Sequence, residues 1–242
     1  MKEFIKKVIP KPVILILYKN LVQPFKKNYK RSYAQCGEDM ILDVIIGKPR
    51  GFYLDIGANN PIEQSNTMYF YKKGWHGINI DATPGSMASF ERLRKRDVNL
   101  EIAISNEEKE MIFYLFEPSF YNSFEKRFSE LYKDKLIGQK RIKTTKLSKV
   151  LDQYLNNDEI DFFSVDAEGY DFDILKSNDW QKYRPKIVVI EYITYNESEL
   201  DHIIKIRKFL ESVEYKLFCN SPTNAFFVEN KFFNKRFGIN HD

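Results

Sequence analysis

The stretch GFYLDIGANNP, residues 51–61, sets the frame for the rest of the chain. An apolar run ends on Asp55, and one glycine, one alanine and two asparagines follow it. A strand that feeds a tight turn and then a helix is how open α/β sheets present a ligand crevice at the carboxyl ends of their strands. A phosphate cradle needs the spacing G-x-G-x-x-G or G-x-x-x-x-G-K-[ST], so that bare backbone N–H groups reach the phosphate oxygens. Only Gly57 is present here, and the acid before it would repel a phosphate. The turn fits a ligand with positive charge and hydroxyls but no phosphate.

Outward from this turn, short apolar runs alternate with amphipathic stretches, the pattern of a parallel sheet with crossover helices. Strands are expected at Phe52–Ile56, Ile78–Asp81, Glu101–Ile104, Asp161–Val165 and Ile187–Glu191. Two more, Tyr215–Cys219 and Ala225–Glu229, flank the turn-rich segment 220–224 and form an antiparallel hairpin. Helical periodicity runs through residues 64–73, 84–96, 170–177 and 197–212. Met111–Phe116 reads as a further edge strand, and the charged, aromatic stretch 117–143 as an insertion. The expected fold is α/β: a mostly parallel seven-stranded sheet, helices on both faces, and a closing hairpin of the kind found in class I methyltransferases.

The 242 residues suffice for one sizeable core, and a composition 43% apolar and 30% charged argues against disorder. Charge is uneven. Residues 1–31 hold nine lysines and arginines against Glu3 alone, a net +8, which leaves −4 on the remaining 211 residues. A basic arm interleaved with apolar residues suits either a helical extension or contact with an anionic membrane surface. The mildly acidic body provides no footprint for nucleic acid. The apolar run Val13–Leu17 is far short of a membrane span. Cys36 and Cys219 form no metal or redox motif, so a reducing cytoplasm is the expected compartment, with the inner face of the membrane open through the arm. Cys36 itself reads as a small buried filler.

Chemistry is carried by acids at strand ends. Asp55, Gly57, Ala58 and Asn59 match S-adenosyl-L-methionine, which bears an ammonium, a sulfonium and ribose hydroxyls. Asp81 lies 24 residues after Gly57 at the tip of the second strand, where an acid accepts ribose hydroxyls. Asp166 and Glu168, in FFSVDAEGYD (162–171), stand beyond the fourth strand, and Glu191 ends the fifth. Three carboxylates at neighbouring strand ends suit a general base or a divalent metal. His76 precedes the second strand, at the far end of the sheet; His202 is in a helix and His241 in the tail, so the proton acceptor falls to a carboxylate.

The segments SYAQCGED (32–39), DIGANNP (55–61), SNT (65–67), GWHGINID (74–81), DAEGYD (166–171) and VIE (189–191) occur in the order found in FkbM-type methyltransferases, which this chain resembles over about residues 32–192. The resemblance implies a class I fold, S-adenosyl-L-methionine as donor, and O-methylation, often of sugars in surface polysaccharides. It places Asp55, Gly57, Ala58, Asn59 and Asp81 around the cofactor, with Gln35 and Glu38 closing over it; Ala82, Ala103 and Ile104 complete the expected cofactor site. Many members have Val or Ile where Ala167 stands. The expected organisation is a basic extension over 1–31 and a methyltransferase domain over 32–242, with Asp166 and Glu168 catalytic. An NAD-dependent oxidoreductase and a non-catalytic module docking glycan machinery are the competing readings.

Overall fold

The computed structural model describes residues 30–192 and 197–238; the basic arm expected over residues 1–31 lies outside them but for its last two positions. Every element below belongs to the unit Tyr33–Asp242. Helix α1 (Glu38–Ile46) leads into β1 (Phe52–Ile56), followed by α2 (Met68–Lys72), β2 (His76–Asp81), α3 (Met87–Leu93) and β3 (Val98–Glu101). After β4 (Ala103–Ile104), β5 (Glu110–Phe116), α4 (Lys126–Leu131) and β6 (Leu136–Thr145), the chain continues through α5 (Leu147–Tyr154) into β7 (Ile160–Val165). It ends with α6 (Asp171–Lys176), β8 (Ile187–Glu191), α7 (Glu197–Ser212), β9 (Tyr215–Asn220), β10 (Asn224–Glu229) and α8 (Asn230–Phe237).

The main sheet has seven strands in the order β3-β2-β1-β7-β8-β10-β9. Contacts from β3 to β8 are parallel, and β10 pairs antiparallel with both β8 and β9. Five parallel strands and a closing hairpin are the expected architecture. The central strands are near-continuous apolar runs because helices cover both faces. Along β1, Phe52, Leu54 and Ile56 join one core and Tyr53 the other. In β8, Val188 and Ile190 face the first core, Ile187 and Val189 the second. That alternation follows the two-residue period of a strand. Leu147, Val150 and Leu151 of α5, Ile174 of α6 and Ile206 and Leu210 of α7 pack in the first core. The second takes Leu42, Ile45 and Ile46 of α1 with Phe70 and Trp75.

Two expectations change. The strand expected over Glu101–Ile104 is divided, because β3 stops at Glu101 in the main sheet while Ala103 and Ile104 pair with Thr144 and Thr145 of β6. The stretch expected as an insertion over 117–143 is partly strand: β6 pairs antiparallel along β5. Its burial pattern is exposed from Leu136 to Arg141, so it carries no core periodicity to betray it. Helices α1, α4, α5 and α8 also go beyond the four helical stretches expected.

Candidate active site

The strand order reverses at β1, whose neighbours are β2 on one side and β7 on the other, and this switch point is where an open α/β sheet leaves a crevice. A cavity of about 500 Å³ opens there. Gly57, at φ 76°, turns the chain away from β1, and its N–H donates to the Ile80 carbonyl at 2.9 Å. Asp166 N–H donates to the Ile56 carbonyl at 3.0 Å, which ties the turn after β7 to the turn after β1. A Cβ on Gly57 would lie 1.7 Å from the Asp166 carbonyl oxygen, so only glycine permits this approach.

Asp81 is buried at the tip of β2. Asn59 N–H donates to its Oδ2 at 2.9 Å and Thr83 N–H to its Oδ1 at 2.7 Å. Burial raises its pKa against the lowering effect of those bonds. Asp55 accepts from Thr67 Oγ1 at 3.0 Å, and loss of hydration pushes its carboxyl up to about 6, against the pull of Thr67 and the Arg94 charge.

Arg94, immediately after α3 and fully buried, is a structural organiser that the sequence reading passed over. Its Nε donates to the Pro61 carbonyl at 2.9 Å, one terminal nitrogen to Tyr53 Oη at 3.1 Å, and the other to Ser65 Oγ and Thr67 Oγ1 at 3.0 and 2.8 Å. The relay Arg94–Thr67–Asp55 fixes the loop after Gly57 and orients the acid. The only signal in sequence was SNT (65–67), whose hydroxyls need a donor.

Asp166, Glu168 and Glu191 each bring a carboxylate oxygen within 4.8 Å of the others, spacing that lets them share a proton or ligate a cation. Loss of hydration, and then the charges of Asp171, Asp55 and Asp81, raise Asp166 to about 7 although its side chain opens into the cavity. Loss of hydration and the charges of Asp166 and Asp171 raise Glu168 to about 8. Glu168 (φ 47°) and Gly169 (φ 87°) are both left-handed. Ser123 Oγ holds this loop by donating to the Glu168 carbonyl at 2.9 Å, and Ala167 N–H donates to buried Asp171 at 2.9 Å. Asp171 is therefore a support of the loop, and His202 Nε2 stands 4.0 Å behind it. His76 pairs with Asp158 at the other end of the sheet.

The opposite wall is aromatic and comes from the β5–β6 excursion. Phe113, Phe120, Tyr121, Phe124 and Tyr132 line the cavity with Tyr170. Tyr121 and Tyr132 lie 4.5 Å apart between ring centres, and Phe124 lies 4.6 Å from Phe113. Gln35, Asp55, Gly57, Ala58, Asn59, Asp81, Ala82, Ile104, Asp166 and Glu168 all line the same cavity. Two expected residues do not. Glu38 is buried and accepts from Cys36 N–H and from Ser221 and Thr223 hydroxyls, which braces the β9–β10 turn. Ala103 is buried between Ile102 and Ile104, which do reach the cavity. Cys36 is exposed, not the buried filler expected.

A model of the FkbM methyltransferase domain matches residues 55–217, more than half of the chain. The chain belongs to the FkbM methyltransferase family. It is a methyltransferase, its methyl donor is S-adenosyl-L-methionine, and the oxidoreductase and non-catalytic readings fall away. No curated protein matches it in sequence. Among solved structures, an O-methyltransferase from Bacillus cereus in complex with SAH is 12% identical, with 93% of this chain and 94% of that one covered at a TM-score of 0.45. A TehB-like SAM-dependent methyltransferase from Corynebacterium glutamicum is 13% identical over 90% and 97% of the two chains, at a TM-score of 0.39. The strand order described above, rather than these likenesses, defines the fold of this FkbM-family enzyme.

The donor set fits such a cofactor. Asp55, Glu63, Asp81, Asp166, Glu168 and Glu191 line the cavity, and among the described residues no lysine, arginine or histidine does. A lining with six carboxylates and, among the described residues, no cationic side chain suits a cation and opposes a phosphate. Ile102, Ile104 and Ala82 add apolar surface to the same lining.

Proposed function

We propose that this FkbM-family enzyme methylates a hydroxyl of a sugar in a surface polysaccharide or glycan precursor. The observation that carries the reading is the pairing of an aromatic wall with a carboxylate floor across one cavity. A sugar offers an apolar C–H face and a polar hydroxyl edge, and such a wall and floor receive one each. Asp55 and Asp81 would hold the donor, Asp55 its ammonium and Asp81 its ribose hydroxyls. Gln35, Ala82 and Ile104 line the same side. Bound there, the donor supplies an electrophilic methyl group.

The protein's own contribution is position and proton transfer. Holding the acceptor hydroxyl in line supplies several powers of ten without covalent chemistry. An alkyl hydroxyl is a poor nucleophile at neutral pH, so an acceptor for its proton adds roughly 10²–10⁴ in rate. Asp166 is the first choice for that base, with Glu168 beside it to take the proton onward. Carboxyls raised to about 7 and about 8 are matched to accept a proton at neutral pH and release it again. Glu38 and Ala103 act at one remove, through the β9–β10 turn and the packing of Ile102 and Ile104.

Free Cys36 and Cys219 fit a reducing compartment, and we place the reaction in the cytoplasm, at the inner face of the membrane. Among the described residues no helix is long and apolar enough to cross a membrane. Mass spectrometry of surface glycans from cells with and without the gene tests the acceptor. Loss of O-methyl sugars from the mutant is the expected result. Unchanged glycan methylation would remove the sugar from the account.

A further inference from the structure

The β5–β6 ribbon has a second face that the site does not use. Phe113 and Lys140 are cross-strand partners on the inner face, where Phe113 is buried and lines the cavity. The pairs Ile112–Arg141, Tyr114–Gln139 and Glu110–Lys143 share the other face, because partners across a ladder lie on the same side. Large apolar side chains of the ribbon and of the end of α4 are left in water. Leu131 is 69% exposed, Ile137 66% and Ile112 41%. From Leu131 to Lys143 only Tyr132, Lys135 and Ile142 are half-buried, and the rest are exposed.

The same stretch, residues 131–143, holds five basic residues and one acidic, in a domain whose body is net acidic. Lys133, Lys140 and Arg141 form no ion pair among the described residues, while Lys143 has Glu110 opposite it across the ladder. Other exposed lysines do find partners: Lys149 pairs with Glu108, and Lys182 with Asp152. Unneutralised cations beside exposed Leu and Ile call for an anionic surface that also accepts apolar side chains. A soluble polyanion would meet the charges and leave Leu131 and Ile137 in water. A bilayer interface takes both.

We infer that the exposed stretch from the end of α4 along β6, with Leu131, Ile137, Lys140 and Arg141 open to solvent, docks the enzyme on an anionic membrane. The inference stands apart from the identity of the acceptor. It is also distinct from the basic arm over 1–31. Its consequence is orientation: the ribbon that touches lipid also carries Phe113 of the cavity lining, which brings the cavity to membrane-borne acceptors.

Flotation of the full chain with phosphatidylcholine vesicles, with and without phosphatidylglycerol, tests this. The expected result is binding to the anionic vesicles alone, weakened by salt. Leu131→Asp with Ile137→Asp, and separately Lys140→Glu with Arg141→Glu, should each reduce partitioning by about tenfold or more. Thermal midpoint and S-adenosyl-L-methionine affinity should stay as in the unaltered chain, since none of the four lines the cavity. Absence of binding at low salt overturns the inference. So does full binding by both ribbon variants together with its loss in Lys6→Glu with Lys7→Glu, which would give the contact to the arm. A concentration-dependent dimer in light scattering that disappears with Ile137→Asp overturns it as well, because the free edge of the ribbon would then pair with a second copy.

Discussion

Replacing Asp55 by asparagine should stabilise the ligand-free enzyme while weakening its hold on the donor. The carboxyl is 6% exposed, and burial lifts it from the ordinary 3.8 to about 6. At about 1.4 kcal/mol per pKa unit, the ionised group costs the fold roughly 3 kcal/mol in mildly alkaline solution. The sign follows from linkage. An acid whose pKa is raised by folding favours the native state fully below pH 3.8, and that advantage is lost as pH rises through about 6. Asparagine removes the cost above about 6 and retains an acceptor for Thr67, at the expense of an amide donor that must find Ser164. A gain of about 1–3 kcal/mol is expected, which for a domain of this size raises the thermal midpoint by about 2–4 °C per kcal/mol. Donor affinity should fall by about one to two decades, since a charge-assisted hydrogen bond contributes roughly 1.5–3 kcal/mol. Thermal melts across the acid and alkaline ranges, paired with calorimetric titration, read both effects. A variant less stable than the parent in alkaline solution, or one with unchanged affinity, would refute the reasoning.

Asp166→Asn should bind S-adenosyl-L-methionine almost normally and turn over at least about two decades more slowly. Wild-type activity should rise as pH passes about 7, where Asp166 loses its proton, and that limb should be missing in the variant. A comparable loss in Glu168→Gln with near-normal Asp166→Asn would move the base, and activity removed by a chelator and restored by a divalent ion would make Asp166, Glu168 and Glu191 ligands. Arg94→Leu leaves buried Asp97 short of a charge and four hydrogen-bonding groups short of a donor, so it should cost about 3–5 kcal/mol in urea denaturation; a cost under about 1 kcal/mol would show the network to be incidental. Gly57→Ala should abolish donor binding in a folded protein, because its Cβ would strike the Asp166 carbonyl; a variant that titrates normally would contradict the tight approach of the two turns.

The main sheet was legible because its strands are buried on both faces. Runs such as FYLDI and IVVIE cannot be solvated, and each carries an acid at its last or next-to-last position that marks the crevice. The same rule explains the misreading of β6, whose residues from Leu136 to Arg141 are exposed and show neither core alternation nor a helical stripe. The break between β3 and β4 was hidden because Glu101-Ile102-Ala103-Ile104 reads as one strand although its halves pair with different partners. Arg94 was invisible for an electrostatic reason. An arginine in LRKRD, among Arg92, Lys95 and Arg96, reads as one more solvated cation, and only the fold brings Tyr53, Ser65 and Thr67 around it. Glu38 shows the converse: its motif context was plain, but its carboxylate turns to Ser221 and Thr223, nearly two hundred residues away in sequence.

The central claim is that a cationic donor sits among carboxylates whose protons are held near neutrality. Calorimetric titration of S-adenosyl-L-methionine into the full chain at about pH 6, in buffers of differing ionisation enthalpy, tests it most directly. A bound cation lowers the pKa of the acids around it, so protons must leave as it enters. Saturable binding with a buffer-dependent enthalpy that reports net proton release is the predicted result. Binding with a buffer-independent enthalpy, or no binding of this donor, would contradict the account.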